Sequence, residues 1–301
     1  MIVRESPKPW ELLFILRGSI VPDIWPQIAL VVAISALATG LDLSGILHIQ
    51  PIAALPFSLI GIALSIFSGF RNSASYERWW EARKLLGQHV IDARSLAREA
   101  ECYLDETGAR RLVHLTIAFV ASLRDHLRGN PPGEDVADYV ARAGSAMPPA
   151  GSHVPDRILG LMSKEVAAAL RAGSISAPIA QVMEERIVSL SGVLAGAERI
   201  KFTPLPYAYS LLLHRTAYMF CLLLPFGLAE TTGLWTPVLS AILAYTFFGL
   251  DALGDQLSQP FGSGDNALPL DAITRTIEIN LCAITGEKAP PALHPVGYLL
   301  T

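Results

Sequence analysis

The chain has 301 residues, 51% hydrophobic and 17% charged, with a mean hydropathy of +0.41. A soluble domain usually carries about a quarter charged residues, so the apolar excess needs either one very large core or burial in a membrane. A net charge of −4 without a basic stripe gives no footing for a nucleic-acid partner. Cys102, Cys221 and Cys282 lie far apart with no C-x-x-C pair, which argues against a disulfide framework or a zinc site and for buried structural thiols.

Residues 1–25 read as a cytoplasmic N-terminal segment, because the stretch MIVRESPKPWELLFILRGS is too short and too interrupted by charge for a signal peptide. Pro26 to Leu41 is the first uncharged apolar run, near the lower limit of about 17 residues for a membrane span. Ile24 and Trp25 can extend it. A short link, DLSGILHIQ, leads to the second uncharged run, Pro51 to Phe70, so residues 26–70 predict an antiparallel hairpin of spans 1 and 2. After Phe70 come Arg71, Glu77, Arg78, Glu81, Arg83 and Lys84. No proline interrupts Tyr76 to Tyr103, which predicts a helix leaving the membrane for water.

Residues 71–206 read as a cytosolic helical region. Arg111 to Arg128 is a helix stopped by Gly129, Asn130 and the Pro131-Pro132 pair. AGSAMPPAGSHVP is a loop, and Asp156 to Ala172 and Ala177 to Arg199 are two further helices. Apolar character returns at Tyr207. Tyr218 to Leu228, with Pro225 inside, and Thr236 to Leu250 are joined by AETTGLW, so residues 207–250 predict a hairpin of spans 3 and 4. Asp251 is expected to end the last span and to open a cytosolic segment, 251–301. Lys and Arg mark the cytoplasmic side: Arg4, Lys8, Arg17, Arg71, Arg78, Arg83, Lys84, Lys201 and Arg215 flank the spans, while the links 42–50 and 229–235 carry none. Both termini are therefore expected in the cytoplasm.

No nucleotide-binding, zinc-protease or hydrolase motif is present. His214, Arg215 and Glu230 are the polar groups available to a membrane enzyme, and no catalytic spacing joins them. His214 reads as a satisfied interfacial histidine, and His89, His114 and His126 as surface or packing residues. In the second run, Ile62, Ile66 and Phe70 are spaced by four and share one helix face. Gly61, Ser65, Ser68 and Gly69 lie near that stripe and let helices approach closely. Such a stripe ordinarily faces lipid or a core. Around an axis of several copies it becomes an apolar ring that gates by dewetting. Next to it, Arg71 reads as a snorkelling cation and Trp79 and Trp80 as an aromatic belt.

The stretch FRNSASYERWWEARKLLG, residues 70–87, resembles the signature of the bestrophin family. ERIKFTPLPYAYSLLLHRTAYMFCLLLPFGL (198–228), YTFFGLDALGDQLSQPFG (245–262) and NALPLD (266–271) resemble further family blocks, in family order and closest to the bacterial branch. The resemblance implies an all-α membrane protein, with four transmembrane helices per protomer and a cytosolic helical bundle, assembled as a homopentamer in the inner membrane. One axial pore would pass monovalent ions. Ile62, Ile66 and Phe70 would form its neck, and Ile179, with Ile175 second, a cytosolic constriction. Arg71, Asn72, Ser73, Tyr76, Arg78, Trp79, Trp80 and Glu81 would be the family motif at the pore mouth. Animal members clasp calcium with acids after a PFG-like motif. Here only Asp265 remains there, and Gln256 and Gln259 stand where many relatives carry acids, so no metal and no cofactor is expected. Asp251, Asp255 and Asp265 read as helix caps or subunit contacts. The net −4 per copy leans toward a cation such as sodium, with chloride as the alternative. A non-conducting scaffold or sensor is the competing class.

Overall fold

The computed structural model describes residues 1–3, 8–12, 15–16, 18–45, 54–149 and 151–301. Among them the fold is all-helical, its only β pairings being two isolated bridges, Ile2–Leu299 and Val296–Leu299. The helices are α1 (Pro9–Leu12), α2 (Val21–Leu43), α3 (Ala54–Tyr103), α4 (Glu106–Arg128), α5 (Glu134–Arg142), α6 (Val154–Arg171), α7 (Ala177–Phe202), α8 (Tyr207–Thr232), α9 (Thr236–Ser258) and α10 (Leu270–Thr285). The chain forms two compact units. One holds residues 1–3, 80–203 and 260–301, and the other 4–79 and 204–259. Helix α3 contributes its first half to the second of these and its last half to the first.

The unit made of 4–79 and 204–259 is apolar. Three of its helical segments, Val21–Leu43, Tyr207–Ala229 and Gly233–Ser258, are long and apolar enough to cross a membrane. They pack through Ile24, Val31, Phe220, Phe247 and Phe248, to which α3 adds Leu64. Gly61 permits close approach: a Cβ there would stand 3.2 Å from the Phe220 ring. Inside this packing a buried Ser35 hydroxyl meets Ser240 at 3.4 Å, which ties α2 to α9.

Three helices, not four, therefore meet the length and composition of a span among the described residues. The described part of the second expected span, Pro51 to Phe70, is the uncharged start of α3, a 50-residue helix that continues to Tyr103, as expected, because no proline follows Pro56 to stop it. Residues 51–53 and the outer part of the 42–50 link lie outside the described residues, as do Arg4 and Arg17. Asp251 does not end the last apolar helix. α9 continues to Ser258 because Asp251 and Asp255 find a buried partner.

The other unit is built around α4, whose residues from Leu112 to Leu123 are all buried. α5, α6, α7 and α10 pack against it. Asp105 caps the start of α4 by accepting from the Gly108 N–H at 3.2 Å, and Gly129, at φ 76°, ends it. Of the histidines expected as surface or packing residues, His89 and His114 pack inside and His126 is partly buried. His89 is buried against Phe119, His114 is buried with Nε2 2.7 Å from Glu287, and His126 contacts Glu198. Cys221 and Cys282 are buried as expected, whereas Cys102 is exposed, because it lies on an outer turn near the end of α3.

Candidate functional site

Helix α3 has two opposed faces over residues 57–75. At 3.6 residues per turn, Leu64, Arg71 and Ser75 fall on one line, and all three are buried. Ile62, Ile66 and Phe70 fall on the other side and are 57%, 51% and 62% exposed. One face is thus committed to packing within the chain, while the expected stripe is left uncovered by it. Tyr209 of α8 fastens the same stretch by donating its hydroxyl to the Phe67 carbonyl at 3.0 Å.

One residue beyond Phe70 the chemistry inverts. Arg71 does not snorkel. It is 3% exposed and turns into the packed side, where Nη1 donates to Asp251 Oδ1 at 2.6 Å and to the Asp251 carbonyl at 3.1 Å. Its Nη2 donates to Asp255. These aspartates are four apart on α9, so both reach one guanidinium from the same helix face. Asp251 also holds His214, with Oδ2 2.6 Å from Nδ1, and the imidazole packs on Tyr218. Gly254 lies in this cluster, where a Cβ would meet Asn72 Oδ1 at 2.5 Å and Arg71 Nη1 at 3.3 Å. Asp251 and Asp255 are therefore ion-pair partners of Arg71 rather than helix caps, and His214 is satisfied by Asp251.

The remaining motif residues divide by role. Arg78 Nε donates to the Ser258 carbonyl at 2.8 Å, a second tie between α3 and the end of α9. Tyr76 stacks on Trp79, while Ser73, Tyr76 and Trp80 are exposed. In the other unit Glu81 pairs with Arg199. Ile175 is buried at 6% exposure in the turn before α7, and Ile179 is half-buried in the first turn of that helix.

The loop after Phe261 closes on itself through the Ala267 N–H to Gly264 carbonyl bond, and the Asp265 carbonyl accepts from the Ile2 N–H at 3.1 Å. Among the described residues no three metal-type donors gather at Asp265. Gln256 donates to Asp23 at 2.6 Å.

Sequence reasoning missed the Arg71 cluster. Its signal was the Asp251/Asp255 pair at helical spacing just after an apolar run. It also missed a grouping of His126, His153 and Glu198, whose members are too scattered along the chain to be read together.

The family model for bacterial and fungal bestrophin proteins matches residues 1–283. A voltage-dependent anion channel-forming protein of Mesorhizobium japonicum is 43% identical over 297 residues, covering 98% of this chain and 95% of its own. The voltage-dependent anion channel-forming protein YneE of Escherichia coli K12 is 40% identical over 294 residues, covering 97% of this chain and 96% of its own. Among solved structures, a bacterial bestrophin homolog from Klebsiella pneumoniae superposes with a TM-score of 0.79 at 37% identity, covering 88% of this chain and 99% of that one.

Proposed function

The chain belongs to the bacterial and fungal bestrophin family, and from that premise we propose that it is a passive channel for monovalent ions, formed by self-assembly. The observation that carries this reading is the uncovered apolar face of Ile62, Ile66 and Phe70, opposite a face locked into the chain by Leu64 and Arg71. A single protomer encloses no path. Several copies, five by the family resemblance, would bring those side chains together as an apolar neck that dewets when closed.

In this reading the start of α3 is the fourth span. Residues 54–70 rise about 25 Å at ~1.5 Å each, at the short end for a bilayer. Both hairpin links face outward, both termini face the cytoplasm, and the membrane is the bacterial inner membrane. Ile179 is the better candidate for the cytosolic constriction, since Ile175 is buried within its own chain.

Two selectivity readings have distinct support. The relatives are named for anions, and Arg71 offsets one of the two carboxylate charges of Asp251 and Asp255. The cation reading rests on the net charge of −4 per chain, repeated in every copy. We put the anion first.

The test is flux from liposomes holding the purified protein, wild type beside Ile66→Ala, with chloride and sodium gradients imposed in turn. Flux that rises several-fold in the variant supports the neck, and the sign of the reversal potential selects the ion. Absence of flux from both proteins after verified insertion would discard the channel in favour of a scaffold or sensor.

A further inference from the structure

Three side chains outside the proposed neck converge in the unit made of 1–3, 80–203 and 260–301. His126 stands in the last turn of α4, His153 is the N-cap of α6, and Glu198 lies near the end of α7. His126 Nε2 is 2.8 Å and His153 Nε2 2.6 Å from the same oxygen, Glu198 Oε1. One ligand-type atom from each lies within 4.8 Å of those of the other two. The imidazoles are inclined at 62° with centroids 4.8 Å apart, so they approach one point from different planes. A cavity of about 300 Å³ opens beside them, with Ser122, Asn130 and Ser152 in its wall.

We propose that His126, His153 and Glu198 bind a zinc-like divalent transition metal, with water from the adjoining cavity completing a four-coordinate site. Two imidazole nitrogens and one carboxylate oxygen are the donor set of an open tetrahedral zinc site, and imidazole selects against magnesium and calcium. Donors at ~2.0–2.1 Å from a tetrahedral ion stand about 3.4 Å apart. The two nitrogen–oxygen pairs therefore need to part by under an ångström, and the two nitrogens, which lie within 4.8 Å of each other, to settle at the same separation, which groups at 26%, 41% and 27% exposure can do.

Binding shifts the remaining proton of each neutral imidazole to Nδ1. At His153 this gives up a long contact, 3.3 Å, in which Nδ1 accepts from the Asp156 N–H. Lys201, whose ammonium donates to the His126 carbonyl at 2.5 Å, is an opposing charge nearby. It limits affinity without entering the donor set. Because the ligands come from α4, α6 and α7, the metal would cross-link three helices.

The test is calorimetric titration of zinc chloride into the full-length, tag-free protein in detergent, with thermal unfolding followed in parallel. One saturable zinc per chain and a rise in Tm are expected, with no rise from magnesium or calcium at equal concentration. His153→Gln and Glu198→Gln should each weaken binding at least tenfold. His294→Gln, in the C-terminal segment and not among the three ligands, should leave it unchanged. His153 and Glu198 are partly exposed, so folded variants are obtainable. The wild-type titration stands without them. No saturable zinc binding by the wild type, or binding unaltered in both variants, would overturn the site.

Discussion

Replacing Asp251 by asparagine leaves the buried Arg71 guanidinium with half of its closest charge pairing. Asp255 still pairs with the guanidinium, so the cost is smaller than the roughly 3–5 kcal/mol of leaving a buried charge wholly uncompensated. Asp251→Asn should nonetheless lower the thermal unfolding midpoint in detergent, because Nη1 and His214 both lose a charged partner. Arg71→Lys should not restore the wild-type value, because one ammonium cannot span two carboxylates that meet separate guanidinium nitrogens. Gly254→Ala should lower the midpoint less, since its methyl group displaces the side-chain ends of Asn72 and Arg71 rather than removing a charge. An unchanged midpoint in all three would mean that the cluster is not structural. His89 gives a pH-dependent counterpart. Burial lowers its pKa from 6.5 to about 4, so between those values the unfolded chain binds the proton and the folded chain does not. Stability should fall as the pH drops from 6.5 toward 4 and then level off. His89→Leu should remove this component, seen as a wild-type-minus-variant difference that grows in the same window. The residue type alone suggested none of this for either position. Burial and partnership decide whether an arginine snorkels or a histidine stays neutral, and both depend on what another helix brings.

Elements were more legible than residues, where the signal was local. The helices α4, α6 and α7 follow from their apolar periodicity and from Gly129, Pro131 and Pro132. α4 starts about a turn earlier than Arg111 because Asp105 supplies the cap. Asp105→Ala should cost about 1 kcal/mol, visible as faster hydrogen exchange of the amides in the first turn of α4, with the α6 amides unaltered. α10 was passed over because Pro, Gly and Asp breaks surround it, although Leu270, Thr274, Ile277 and Leu281 carry a helical period and are buried. The continuation of α3 past the membrane exit was legible for the opposite reason, since no proline interrupts Tyr76 to Tyr103. An abrupt change from apolar to charged residues at Arg71 reads as a membrane exit, but such a change alters the solvent a helix needs rather than its backbone hydrogen bonds. Only a proline or an unsatisfied turn would have ended it.

At the scale of the whole molecule the decisive quantity is uncovered apolar surface. The three long apolar helical segments are only 28–33% buried within one chain, and Leu37, Ile62, Ile66, Phe70 and Ile242 all stand exposed. Lipid or further copies must cover them, and the two alternatives separate experimentally. If the α3 stripe faces a symmetry axis, equivalent residues from different copies come within side-chain reach. Those on a lipid-facing helix do not. Ile66→Cys in a Cys102→Ser background, which removes the exposed native thiol, should form inter-chain disulfide dimers within minutes of mild oxidation in membranes. Leu37→Cys in the same background should remain monomeric on a denaturing gel. Cys221 and Cys282 are buried and serve as an internal blank. A disulfide geometry tolerates Cα separations of only about 4.4–6.8 Å, so cross-linking at position 66 requires a neck that narrows to contact. Cross-linking at 37 but not at 66 would place the axis on α2 and remove the stripe from the pore.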